Sequence, residues 1–271
     1  MNHEDIEIKC LLEALFEKSG HDFRNYSQAH IKRRIKHVQA LNNLPNISQM
    51  IHLVIHDDAF MESLLHQLSI NVTEMFRDPG FYAALRQKAL PILATWPHVK
   101  IWHAGCASGE EVYSMAILLK EEGLYERCKL YGTDFSPTVL EEARKGVYKI
   151  ESLKGYTENY IRSGGKESFS DYYTANYDYA LIDKSLKNNI MFAEHNLTLD
   201  SVFSEVNMVV CRNVMIYFDR TLQTRVLKLF WESLCPGGLL CLGNKESISP
   251  ECKHLFEPID EKERIFRRKY E

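Results

Sequence analysis

Between residues 6 and 68 the apolar positions recur every three to four residues and no strand pattern interrupts them, which predicts a block of amphipathic helices. Ile8, Leu11, Leu12, Leu15 and Phe16 share one face of a first helix, and Gly20 stops it. Ile31, Ile35, Val38 and Leu41 stripe a second helix over about 28–42, and two more are expected near 47–56 and 59–68. Residues 69–97 form a linker that turns helical over about 81–90, with Pro91 and Pro97 bracketing the last connection. From Val99 the period changes. An apolar strand over 99–104 runs into a small-residue turn, and Val112, Met115, Ala116, Leu118 and Leu119 then mark a helix. Strand and helix signals alternate from there: a strand over 129–134, a helix over 138–145 closed by Gly146, and strands near 189–197 and 206–211. An amphipathic helix after Asp219 buries Leu222, Val226, Leu229 and Phe230, and strands near 239–242 and 263–269 end the chain. Such alternation specifies an α/β sheet. Residues 147–190 interrupt it with a polar, tyrosine-rich stretch, and the alternation over 177–182 suggests inserted antiparallel strands around a turn. The organisation expected is a helical N-terminal domain (1–68), a linker covering the ligand (69–97), and an α/β domain (98–271) with a β-subdomain inserted at about 147–190.

The chemistry concentrates at Gly105-Cys-Ala-Ser-Gly109-Glu110-Glu111, between the first strand and its helix. Gly105 and Gly109 let the backbone turn sharply and approach a ligand. Ser108 suits an N-cap, and Glu111 three residues later would complete a capping box. A strand, glycine turn and helix of this kind form a nucleotide-cofactor crevice. The glycines stand as G-x-x-x-G, without the third glycine of the dinucleotide fingerprint and without the Gly-Lys-Ser/Thr of a P-loop. Glu110 and Glu111 would repel a pyrophosphate at the helix N-terminus. A cofactor without phosphates, carrying an ammonium and a sulfonium, fits better, and S-adenosylmethionine is one; Glu110 is the expected contact. Asp134 ends the second strand, where an acid matches the paired hydroxyls of a ribose, although it could also assist the helix that Ser136 and Pro137 begin. Asn71, Thr73 and Arg77 in the linker, and the polar knot beginning at Arg212-Asn213 after a buried strand, add candidate site residues.

Composition narrows the class. The 271 residues are 45% hydrophobic and 26% charged, as in ordinary globular proteins. No apolar run approaches eighteen residues and no signal-peptide core opens the chain, so a cytoplasmic protein without membrane insertion is expected. Seven cysteines with no C-x-x-C pair read as reduced core thiols, with no metal expected. A net charge of −4 gives no field for nucleic acid, so a basic patch must be local. One exists: Lys32, Arg33 and Lys36 lie opposite the apolar stripe of the second helix, with Arg34 at its border.

Together, Ser69-Ile-Asn-Val-Thr-Glu-Met-Phe-Arg77, Gly105-Cys-Ala-Ser-Gly-Glu-Glu111, Tyr131-Gly-Thr-Asp134 and Val210-Cys-Arg-Asn-Val-Met-Ile-Tyr-Phe-Asp219 resemble the CheR chemotaxis receptor methyltransferases over nearly the whole chain. The resemblance implies a class I, Rossmann-like S-adenosylmethionine methyltransferase sheet with a small all-α N-terminal domain and an inserted antiparallel β-subdomain. It implies O-methylation of glutamates on the cytoplasmic helices of chemoreceptors by a monomer, leaving S-adenosylhomocysteine. By that pattern Asn71, Thr73, Arg77, Gly105, Glu110, Asp134, Asn196, Leu197, Arg212 and Asn213 line the cofactor, and Arg77 and Tyr217 face the substrate carboxylate. Lys32, Arg33, Arg34 and Lys36 correspond to a receptor-docking helix. Some members bind a receptor C-terminal pentapeptide through a glycine-bearing loop of the β-subdomain, and Gly164-Gly165 hints at such a loop. Where the family often has Gly-x-Ser/Thr-Glu, this chain has Gly243-Asn-Lys-Glu246, a peripheral contact at most.

The chemistry agrees independently. A glutamate is ionised at neutral pH and can attack a sulfonium methyl without a general base, so the work left is positioning. Two alternatives stay open: a same-fold methyltransferase acting on another signalling protein or a small acid, and a non-catalytic receptor-binding module.

Overall fold

The computed structural model describes residues 2–69 and 72–270. The chain divides into two compact units, one of residues 1–70 with 217–225, the other of 71–216 with 226–271.

The first unit is helical: α1 (His3–Ser19), α2 (Gln28–Leu41), α3 (Ser48–His56) and α4 (Asp58–Leu68). Asn2 and Asp5 form a capping box at the start of α1, and Gly20 ends it in the left-handed region at φ 72°. The unit closes on Leu11, Leu15, Ile35, Met50, Val54 and Leu64, all fully buried. Leu41, expected on the buried stripe of α2, is instead 58% exposed, because α2 ends there and the chain turns away. The returning segment docks on the α1–α2 connection, where the Ser27 N–H donates to the Tyr217 carbonyl at 2.8 Å and the Asp219 N–H to that of Asn25 at 2.9 Å.

The second unit begins with α5 (Pro79–Ala84), a π-helical turn (Leu85–Ala89) and α6 (Leu90–Leu93), running on as one helix. Pro91 therefore lies inside a helix, not in a connection. Its ring would crowd the carbonyl four residues back, and the wider π turn just before it relieves that conflict.

The main sheet holds β1 (Val99–Ala104), β2 (Cys128–Asp134), β6 (Ile190–Glu194), β7 (Val206–Cys211), β8 (Leu234–Leu242), β9 (Phe256–Asp260) and β10 (Ile265–Arg268), in the order β6-β2-β1-β7-β8-β10-β9. The first five are parallel; β10 runs antiparallel to both β8 and β9. Sequence patterning missed β9, whose Pro258 is tolerated because the strand is an edge. Helices α7 (Glu110–Glu121), α8 (Pro137–Lys145) and α10 (Arg220–Ser233) follow β1, β2 and β7.

The insertion is a separate sheet, β3 (Val147–Lys149), β5 (Tyr179–Ile182) and β4 (Tyr173–Asn176), with a helix α9 (Leu153–Arg162) that periodicity did not reveal. Tyrosines form most of the buried face of α9: Tyr156 and Tyr160 join Tyr148, Tyr172 and Phe169 in the main core. Gly164-Gly165 ends α9 and is not the tip of a strand loop. A Cβ on Gly165 would lie 2.2 Å from the Tyr160 ring, so glycine lets the chain cross that ring. The β4–β5 turn falls instead at Tyr177-Asp178.

Candidate cofactor crevice

Strand order reverses between β2-β1 and β7-β8, and in open α/β sheets ligands bind at the carboxyl ends beside such a reversal. The β1–α7 turn lies there. The Gly105 and Cys106 N–H groups donate to the Thr133 carbonyl at 2.8 and 2.9 Å, pinning the turn against β2. Gly105 has φ 77°, and a Cβ there would meet Val214 Cγ2 at 2.6 Å, so this position requires glycine.

The capping box expected from Ser108 and Glu111 does not form. Gly109, at φ 90°, is the N-cap, which delays the helix by one residue and redirects both side chains. Ser108 Oγ donates to Glu110 Oε2 at 2.8 Å. Glu111 turns inward to His103 Nδ1 at 2.9 Å and Arg212 at 3.2 Å. Burial alone would raise the Glu111 carboxyl, but His103 and Arg212 hold it below the ordinary range.

Glu110 differs from its neighbour. It is only 5% exposed, and its other oxygen, Oε1, accepts from the Tyr156 hydroxyl at 3.5 Å. Among the described residues no cation pairs with it, and burial pushes its carboxyl up to about 7 against the two hydroxyls. Asp134 is 7% exposed and likewise has no cationic partner among the described residues. Its Oδ2 accepts the Ala107 N–H at 3.0 Å and its Oδ1 the Ser136 N–H at 3.1 Å. Burial raises its carboxyl while these backbone donors oppose. Asp134 thus supports the α8 start and the glycine turn together, and three backbone N–H groups, from Ala107, Phe135 and Ser136, leave one of its four acceptor positions open.

Arg77 is half-buried and donates to the Val72 carbonyl at 3.2 Å; Thr73 is half-buried beside it, and Asn71 lies outside the described residues. The residues flanking Arg77 are both in the left-handed region, Phe76 at φ 53° and Asp78 at φ 57°. The Phe76 N–H is held by Ser114 Oγ at 2.9 Å, and the Asp78 carboxylate by Arg212 at 2.8 Å. Arg212 also donates to the Arg77 carbonyl at 3.1 Å and stacks on Phe81, 4.0 Å from its centroid. Although burial opposes its charge, Glu111, Tyr82 and Asp78 raise its pKa. Arg212, read in sequence as a cofactor contact, braces the Arg77 backbone through its two terminal nitrogens, while its buried Nε has no hydrogen-bond partner among the described residues. Asn196 is half-buried after β6, its Oδ1 taken by the Thr198 N–H and hydroxyl at 2.9 and 2.7 Å, and Leu197 is buried beside it.

Asn213, at φ 62°, is held by a residue that sequence reasoning treated as peripheral. Glu246 is 4% exposed and accepts four backbone N–H groups, from Gly243, Asn213, Val214 and Ile216, at 2.6 to 3.3 Å. The Gly-x-x-Glu spacing was the available signal. Tyr148 and Tyr156 were also missed as site residues; the Tyr148 hydroxyl donates to the Ser108 carbonyl at 2.8 Å.

In the first unit, Tyr217 ends a 3-10 turn (Met215–Tyr217), with its ring edge-on to His30 at 5.4 Å. The cationic helix proves largely paired: Lys32 meets Glu4 at 2.6 Å and Asp5 at 3.2 Å, Lys36 meets Glu4 at 2.8 Å, and Arg34 donates to the Gln67 carbonyl at 3.0 Å. Arg33 is exposed and has no partner among the described residues. No helix among the described residues is long and apolar enough to cross a membrane.

A doubly wound sheet with a glycine turn after β1, buried acids at the ends of the turn and of β2, and an antiparallel last pair of strands has the architecture of a Rossmann-like S-adenosylmethionine methyltransferase. Residues 71–265 match the SAM binding domain of CheR methyltransferase, and residues 6–69 its all-alpha domain. The chain belongs to the CheR methyltransferase family. A protein of Pseudomonas putida called Cher3, named among methyltransferases, is 50% identical over 265 residues, covering 97% of each chain. The chemotaxis protein methyltransferase of Listeria monocytogenes is 27% identical over 231 residues, covering 84% of this chain and 85% of its own. That of Escherichia coli is 30% identical over 198 residues, covering 69% and 65%.

Proposed function

We propose that this methyltransferase esterifies glutamate side chains of chemoreceptors with the methyl group of S-adenosylmethionine, releasing S-adenosylhomocysteine, in chemotactic adaptation. The observation that carries the cofactor part is the pair Glu110 and Asp134, two buried carboxylates facing no cation among the described residues. A buried carboxylate without a counter-charge is costly unless a ligand supplies one. Glu110 would take the cofactor ammonium and Asp134 the ribose hydroxyls, with Gly105, Thr73, Asn71, Asn196, Leu197 and Asn213 shaping the rest. When bound, the cofactor supplies an electrophilic methyl on sulfur.

The substrate part rests on the relatives' names and on chemistry. A glutamate carboxylate needs orientation, not activation, and an alignment device can supply roughly 7–11 kcal/mol of the barrier. Arg77 would orient that carboxylate, and Tyr217 is the second residue that the family pattern nominates for the substrate. Arg33, exposed on α2 and without a partner among the described residues, would lead docking with Lys32, Arg34 and Lys36 around it. The pairing of Lys32 and Lys36 to α1 favours a second reading in which the substrate is another signalling protein.

The test is transfer of labelled methyl from S-adenosylmethionine to chemoreceptor cytoplasmic fragments, followed by mild base. Label released by base as methanol is the expected result. Label stable to base, or none with cofactor bound, would overturn the receptor-glutamate assignment.

A further inference from the structure

Two hydroxyls aim the Glu110 carboxylate. Its two oxygens receive one hydroxyl each, from opposite sides: Ser108 Oγ on Oε2 at 2.8 Å and Tyr156 OH on Oε1 at 3.5 Å. Ser108 belongs to the glycine turn, Tyr156 to α9 of the insertion. The groups facing Glu110 are Cys106 on the turn, Tyr113 on its own helix, Glu142 on α8, Tyr148 on β3 and Tyr156 on α9, none of them a cation. The insertion reaches this region at three points. The Tyr148 hydroxyl holds the Ser108 carbonyl, Tyr156 meets Glu110, and Asn159 Nδ2 donates to the Met75 carbonyl at 3.2 Å.

We infer that Ser108 and Tyr156 are positioning residues that fix the Glu110 carboxylate in its charged form for the cofactor ammonium, so that the inserted subdomain serves the cofactor site as well as any partner. Phenol and hydroxyl donors favour a carboxylate over the neutral acid. With Ser108, Tyr156 and its own backbone N–H as donors, the carboxylate has three of its four acceptor positions filled and one left for a ligand. Loss of either hydroxyl disfavours the charged form, and the cationic ligand is then bound only at higher pH. Ser108, at the shorter distance, carries the larger share.

This rests on the reading that Glu110 contacts the cofactor, and the experiment separates the two. S-adenosylhomocysteine is titrated calorimetrically into the full chain across roughly pH 6 to 8.5, and each variant is compared with the wild type at the same pH, so that loss of the ligand's own ammonium proton cancels. The variants are Ser108→Ala, Tyr156→Phe and Glu110→Gln. In the wild type, affinity rises with pH through the region near 7 where Glu110 loses its proton. Tyr156→Phe and Ser108→Ala are expected to move that rise upward. They weaken binding roughly three- to tenfold near pH 6.5, and wild-type affinity returns near pH 8.5. A loss of equal size at every pH, or no change, would overturn the positioning role. If Glu110→Gln leaves affinity and its pH dependence intact, the contact itself is wrong. If it abolishes the pH dependence while Tyr156→Phe and Ser108→Ala do not shift it, only the positioning inference falls.

Discussion

The β1–α7 turn and the outer face of α2 are both charged clusters in the sequence, and they differ in what surrounds them. On α2 the cations already meet carboxylates of α1, in the open, at 2.6 to 3.2 Å. At the turn, Glu110 and Asp134 are buried with hydroxyls and backbone N–H groups but without a cation among the described residues. Exposed pairs are screened and contribute little, whereas a buried unpaired carboxylate is held by the fold at a cost. Charge in a sequence therefore marks a binding site less well than the balance of that charge in the fold. The contrast recurs within two residues: Glu111 is matched by His103 and Arg212, and Glu110 faces no cation among the described residues.

The largest effect expected is on stability, at Glu111. Glu111→Gln strips Arg212 of one counter-charge in a buried site, which costs about 3–5 kcal/mol and lowers the melting temperature by roughly 10 °C. An unchanged melt would mean that the buried pair does not anchor the linker. Next comes Glu110→Gln, which removes the proposed ammonium acceptor. The expected loss of S-adenosylhomocysteine affinity is about 2–3 kcal/mol, roughly 30- to 100-fold, by calorimetry. Asp134→Asn must turn its amide nitrogen toward either the Ala107 or the Ser136 N–H, so affinity should fall about tenfold with a modest drop in the melt.

Glu110 also leaves a mark on the unliganded protein. Its carboxyl is raised to about 7 in the fold, above its ordinary 4.5, so the stability it contributes is present at low pH and lost as pH rises through about 7. The melting temperature of the unliganded wild type should therefore gain, relative to Glu110→Gln, as pH falls from about 8 to 6. Parallel curves would argue against a buried titrating Glu110. The smallest effects belong to α2. Lys32→Met should shift the melt by no more than about 2 °C. Arg33→Ala, which removes the exposed cation without a partner among the described residues, should raise the KM for receptor fragments several-fold and more than Lys32→Met does. The reverse order would point to the paired lysines as the docking groups.

Much of this was legible beforehand because the period of apolar residues reports burial directly. The strand Val99–Ala104, the stop at Gly20 and the buried stripe of α10 follow from that alone. What escaped was polar chemistry doing structural work. Two of the three buried residues of α9 are tyrosines, which carry a weak apolar signal, so the helix stayed hidden. Pro91 reads as a break, yet a π turn lets the helix continue through it. At the site, Glu110 and Asp134 could be nominated from their places after β1 and β2. The difference between Glu110 and Glu111 could not, since it depends on a positive φ at Gly109 and on partners 8 and 101 residues away. Glu246 could be picked out by its spacing from Gly243, but its role could not, its four donors lying on a segment some thirty residues earlier and on its own turn.

The neighbouring glutamates give the most direct test. S-adenosylhomocysteine titrated into Glu110→Gln and Glu111→Gln, with a melt of each, should separate binding from anchoring. Glu110→Gln is predicted to melt no lower than the wild type, and higher above about pH 7, and to bind at least 30-fold more weakly, about 2 kcal/mol. Glu111→Gln is predicted to melt roughly 10 °C lower and, while folded, to bind within about threefold of the wild type. Equal losses of affinity in both, or an unaltered affinity in Glu110→Gln, would contradict the assignment of the unpaired carboxylate to the cofactor.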